Sequence, residues 1–167
     1  MISSLKKKLM QLIQAEKSPA RLSASFCVGT FIAILPVIPF QTPGLFVVCW
    51  LFSLNLAVTF AATYLVNNPF TLIPIYIMDY AFGVWFFKNL LGWNLDRYNP
   101  WWVEKGNDFL SQYIDIKKYL GSDFCIWYLV LGGFVLAALV SVILYPFLKI
   151  VFRFLIAQSE KMGVEDK

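Results

Sequence analysis

Between residues 22 and 78 the chain contains no Asp, Glu, Lys, Arg or His. A helix or strand of a water-soluble domain needs a polar face, so lipid is the solvent in which such a run makes sense. A membrane helix takes ~20 apolar residues to cross ~30 Å of hydrocarbon, and the run has room for two or three passages. It is interrupted at Pro36, Pro39, Pro43 with Gly44, the triplet Asn67, Asn68 and Pro69, and Pro74. Backbone broken at membrane depth must be buried in protein or line a polar cavity.

The pattern predicts a series of elements. Residues 4–16 place Leu5, Leu9, Leu12 and Ile13 on one helical face, with Lys6, Lys7 and Lys8 elsewhere around it. Such a helix lies on an anionic leaflet. Ser18 then caps and Pro19 opens a helix over residues 20–35. It is short for a full crossing, and either continues through Pro36 with a kink or dips in and turns back. Its Ser25, Gly29 and Ala33 form a smooth stripe for close packing. The prolines of residues 36–44 predict irregular backbone there. A continuous span follows over residues 43–66, then a second break at 67–71. A third apolar segment over 70–87 carries Pro74 and Asp79. Residues 88–123 hold a surface helix with Trp101 and Trp102 at the membrane interface. The last span, residues 124–148, has its own stripe of Gly133, Ala137 and Ser141. A weak internal match at an offset of 33 aligns Gly29 with Ala62 and Pro36 with Pro69.

Composition sharpens the picture. The 167 residues are 59% hydrophobic, with mean hydropathy +0.67, which fits one membrane domain with short tails and no second domain of any size. The formal charge is +4, and its placement matters more than its sum. Lys6, Lys7, Lys8, Lys17 and Arg21 precede the apolar run, and Lys149, Arg153 and Lys161 follow the last span. Under the positive-inside rule both termini are cytoplasmic and residues 88–123 lie outside. No basic face on a soluble fold speaks for nucleic acid. The expected boundaries are 1–17 for the basic helix, 18–90 for the membrane domain with broken helices, 91–123 for the outer interfacial segment, 124–148 for the final span and 149–167 for a cytoplasmic tail. The fold class is an all-α integral membrane protein with two to four transmembrane helices and proline-broken or re-entrant segments at 36–44 and 67–71.

Catalysis finds no constellation. The chain lacks His, a phosphate-binding Gly loop, paired membrane acids and a Ser nucleophile motif. Cys27, Cys49 and Cys125 have no metal-ligand spacing, and neither metal nor cofactor is expected. The polar groups within the apolar body are the site candidates: Gln41, Thr42, Asn55, Asn68 and Thr71. An amide in hydrocarbon needs a partner. These side chains either cap the broken helices or face a ligand, and caps at facing half-helix ends can do both. Asp79 is an ion or proton candidate, as any ionisable membrane residue is, or a wet group near an interface. Lys6, Lys7 and Lys8 are the lipid-headgroup candidates.

The order Ser18-Pro19, Gly29, Phe31, Pro36, Pro39, Gln41-Thr42, Asn55, Asn68-Pro69, Thr71, Pro74, Tyr76, Gly83 resembles the bacterial membrane proteins grouped as domain-of-unknown-function family 2062, over about residues 15–90. Pro39-Phe40 before Gln41, and Asp79, depart from that pattern. The resemblance implies a bacterial inner-membrane protein and no particular activity. The residues themselves leave two functions open. One is a transporter or a lipid- or solute-handling protein, which at this size would need to form a homodimer. The other is a non-transporting scaffold or interaction protein.

Overall fold

The structure, a computed structural model, describes residues 18–36, 38–97, 100–111 and 124–165. Among these residues every regular element is helical. In order they are α1 (Pro19–Ile34), α2 (Ile38–Leu51), α3 (Leu56–Val66), α4 (Leu72–Gly83), a π-helical segment (Val84–Leu90), a 3-10 turn (Leu95–Arg97), α5 (Trp101–Ser111) and α6 (Ile126–Glu165). The expected basic helix with Lys6, Lys7 and Lys8 falls outside the described residues. One helix, α6, is long and apolar enough to cross a membrane, over Ile126–Gln158. Of an apolar 18-residue stretch of it, 28% is buried within the protein. Helices α1 and α3 and the Phe40–Leu51 part of α2 are shorter apolar helices.

Two expectations about backbone need correction. Residues 36–44 are not an extended break, because α2 begins at Ile38 and contains Pro43. Pro39 sits in the first turn, where a missing N–H costs nothing, and Pro43 removes one hydrogen bond from a helix that its neighbours hold in place. Residues 43–66 are not one span. The chain leaves helix after Leu51, passes through Ser53 at φ 49° and restarts at Leu56. The break at 67–71 does occur, as a turn between α3 and α4. Helix α6 also runs through residues expected to form a tail, as far as Glu165.

The chain forms two compact units. The first draws on Met1–Ala33, Val37–Asn67 and Ala138–Lys167. Ser18 caps α1, accepting at Oγ from Arg21 N at 3.3 Å, while its carbonyl accepts from Leu22 N at 3.1 Å. The small-residue stripe serves as expected. Ser25, Gly29 and Ala33 are all buried, and a Cβ on Gly29 would overlap the Thr59 carbonyl and sit 2.8 Å from Ala62 Cβ. Thr63 Oγ1 donates to the Gly29 carbonyl at 3.0 Å and also reaches Thr59 O at 2.9 Å. Ile32, Leu45 and Cys49 form the apolar centre. Ser141 of α6 donates to the Cys27 carbonyl at 3.1 Å.

The second unit draws on Ile34–Pro36 and Asn68–Ala137. Its core is Tyr80, Phe87, Phe124, Cys125, Tyr128 and Leu129. Tyr80 stacks on Phe124 at 5.3 Å and meets Tyr128 edge-on at 6.3 Å. Gly83 and Gly132 let α4 and α6 touch backbone to backbone, since a Cβ on Gly83 would overlap the Tyr128 carbonyl and one on Gly132 the Asp79 carbonyl. Asn107 of α5 accepts from Ile126 N at 2.9 Å and so caps α6.

Candidate functional site

The candidate residues lie at helix breaks. In the first unit, Gln41 stands on the first turn of α2. Its Nε2 donates to the Ile32 carbonyl at 3.3 Å, and its Oε1 accepts from Asn67 Nδ2 at 2.9 Å. The carbonyl matters, because Pro36 cannot donate to it as the next helical turn would. Gln41 thus joins the end of α1 to the end of α3. Thr42 is exposed and lies 3.3 Å from the Tyr64 hydroxyl. Asn55 is at the restart between α2 and α3, not mid-span. Its Oδ1 accepts from Val58 N at 3.1 Å, and its own N–H donates to Ser25 Oγ at 2.8 Å. Arg21 reaches the same break, with Nε donating to the Ser53 carbonyl at 2.5 Å.

Asn68 and Thr71 belong to the second unit and close the turn before α4. Asn68 Oδ1 accepts from Phe70 N at 3.0 Å and Thr71 N at 3.2 Å. Thr71 Oγ1 accepts from Asn68 N at 3.1 Å and reaches Asn68 O at 3.2 Å. This reciprocal pairing is the logic of a capping box. It spends most of both side chains on the chain itself.

Asp79 differs from all of these. It is fully buried, not wet, and neither carboxyl oxygen has a hydrogen-bond partner. A Cβ added to Gly133 of α6 would lie 3.2 Å from the Asp79 carboxyl carbon and 3.2 Å from Pro36 Cδ. The carboxyl therefore lies against Gly133, with the Pro36 ring against the same glycine, and neither residue has a side-chain donor. One turn earlier on the same face, the Tyr76 hydroxyl is also buried and unpartnered. Sequence reading named Tyr76 only in the family resemblance and not as a site candidate, and the acid three positions on, Asp79, was the available signal. It also missed Thr30, whose Oγ1 in the first unit is buried without a partner. Among the described residues no group of acids, Cys and His is placed to hold a metal ion.

Each unit buries polar side chains beside its apolar core and leaves large apolar side chains exposed. In the first, Ser23, Ser25, Thr30, Thr59 and Thr63 are buried, while Phe40, Leu51, Val142 and Phe154 are exposed and Trp50 is 82% exposed. In the second, Asp79 and Asn107 are buried, while Ile73, Met78 and Trp85 are exposed and Phe70 is 90% exposed.

Residues 2–161 match the family described as "Uncharacterized protein conserved in bacteria (DUF2062)". The chain belongs to that family. The match runs far past residue 90, so the resemblance extends well beyond the part that its motifs marked. No curated protein and no solved structure matches the chain.

Proposed function

We propose that this DUF2062 protein is a multi-pass protein of the bacterial inner membrane, with both termini cytoplasmic, that handles a small solute or a lipid through its polar interior. The observation that carries this reading is a set of buried hydroxyl, amide and carboxyl side chains beside the apolar cores, with many large apolar side chains outside. A bilayer accepts such a surface. A protein built only to sit in lipid has no use for the buried carboxyl of Asp79, because an ionisable group at that depth is expensive. The reading places anionic headgroups against Lys6, Lys7 and Lys8, assigns no catalysis and no cofactor, and takes a homodimer as the working assembly.

A specific observation favours a second reading. The hydrogen bonds of Gln41 and Asn68 run to the chain's own backbone and to Asn67, as the caps of a scaffold would. Gln41→Ala and Asn68→Ala separate the two. A lost cellular phenotype with an unchanged melting temperature in detergent supports solute handling. A melt lowered by the ~1 kcal/mol of a lost cap, with matching loss of abundance, supports the scaffold.

A further inference from the structure

We propose that Asp79 is a proton-carrying group of the α4–α6 crossing, which binds one proton when the crossing is closed and gives it back when the crossing opens to water. This deepens the reading above and rests on its membrane placement.

A buried structural carboxylate is held by donors or a cation, since uncompensated burial is costly. Asp79 has neither. The elements packed against it offer none. On α6 Gly133 lies against its carboxyl and Gly132 against its backbone carbonyl, and Pro36, from the short segment before α2, lies against Gly133. Between residues 126 and 148, α6 carries no Asp, Glu, Lys, Arg or His. The titratable groups described in the surrounding unit are Tyr76 and Tyr80 on α4, Cys125 just before α6 and Tyr128 on it, and the exposed Lys88, Arg97, Glu104, Lys105 and Asp108. Only the acid form fits this packing without an unbalanced charge. A metal ion fits poorly, because a hard cation takes about six oxygens and the idle ones here are the two of Asp79 and the hydroxyl of Tyr76.

At Gly83 and Gly132 the two helices touch without intervening side chains, so no side chains have to disengage there for the crossing to open. Directly after Gly83 the helix continues in π register, with Leu91 N bonded to Phe86 O at 3.1 Å. A π turn can revert to α register, which re-aims the helix before it. On opening, the O–H bond at one Asp79 oxygen breaks and the proton passes to water. On closing, one proton is taken from water and the bond re-forms. No other bond changes and no electrons move.

The test uses the full chain in vesicles of phosphatidylethanolamine and phosphatidylglycerol. Infrared difference spectra are recorded between acid and alkaline buffers, with and without sodium. The expected result is a carboxylic-acid C=O band that grows as pH falls, ignores sodium and is missing in Asp79→Asn. Asp79→Glu should move the band without abolishing it, which keeps the test open if Asp79→Asn fails to fold. Gly133→Ala should shift its midpoint, because the added methyl presses on the carboxyl. Identical spectra for wild type and Asp79→Asn overturn the proposal. So does a band that persists at every pH, the mark of a permanently neutral structural acid, and so does suppression by sodium, the mark of a metal-ion site. A protein inserted in the vesicles without a titrating band defeats the proton proposal alone. A titrating band with no solute or lipid phenotype defeats the handling reading alone.

Discussion

Gly83 and Gly106 are both helical glycines, yet a methyl group at each has opposite consequences. At Gly83 the new Cβ would overlap the Tyr128 carbonyl, and that backbone cannot step aside without parting α4 from α6. Overpacking typically costs ~1–3 kcal/mol, and a rigid backbone neighbour puts this case at the upper end. At Gly106 of α5 nothing lies within 4 Å, so alanine brings only its better helix propensity, up to ~1 kcal/mol in favour. Gly83→Ala should therefore depress the melting temperature in detergent and lower abundance, while Gly106→Ala should leave it unchanged or raise it. Equal effects of the two would mean that the close crossing is not formed. The same contact explains why the environment of Asp79 was unreadable in sequence. Gly133, against its carboxyl, and Gly132, against its backbone carbonyl, lie more than fifty positions away in an apolar helix where small residues only mark a stripe.

At the scale of elements, caps decide where this apolar chain stops being helical. Asn55 starts α3 through its bond to Val58 N, and Asn107 starts α6 from another helix through its bond to Ile126 N. Replacing a cap by alanine costs about 1 kcal/mol, and Asn107 is itself buried, so its loss also strands the Ile126 N–H. Asn107→Ala should lower the melt more than Asn55→Ala, and Asn55→Ser should restore most of the smaller loss, because a hydroxyl oxygen can accept the same bond. A melt unmoved by either alanine would show that the helix starts are set by packing alone. The start at Ser18 and the break at Asn68 were legible because a capping side chain and a proline coincide there. The break at Ser53 was not, since a lone Asn in an apolar run carries no proline beside it and reads as mid-span. Pro43 misled in the other direction. Local propensity disfavours proline inside a helix, but burial of Leu45 and Cys49 against Ile32 outweighs the one lost hydrogen bond.

For the molecule as a whole, the decisive element is α6. Its apolar part up to residue 148 amounts to about 35 Å at 1.5 Å per residue, enough for the ~30 Å of hydrocarbon. Lys149 and Arg153 follow immediately, where positive charge marks the cytoplasmic side. Before α6, α5 exposes Trp101 with Lys105 Nζ 5.5 Å from its ring centre, a pairing that would suit a headgroup layer. If α6 crosses once, α5 and the C-terminal residues face opposite sides. Fusions of an alkaline phosphatase and a fluorescent reporter at residue 167 and within residues 95–115 read this directly. The fluorescent reporter should be active at residue 167 and the phosphatase within 95–115. Both positions reporting the same side would show that α6 lies along the protein or the membrane surface, and with it would go the multi-pass reading on which the role of Asp79 depends.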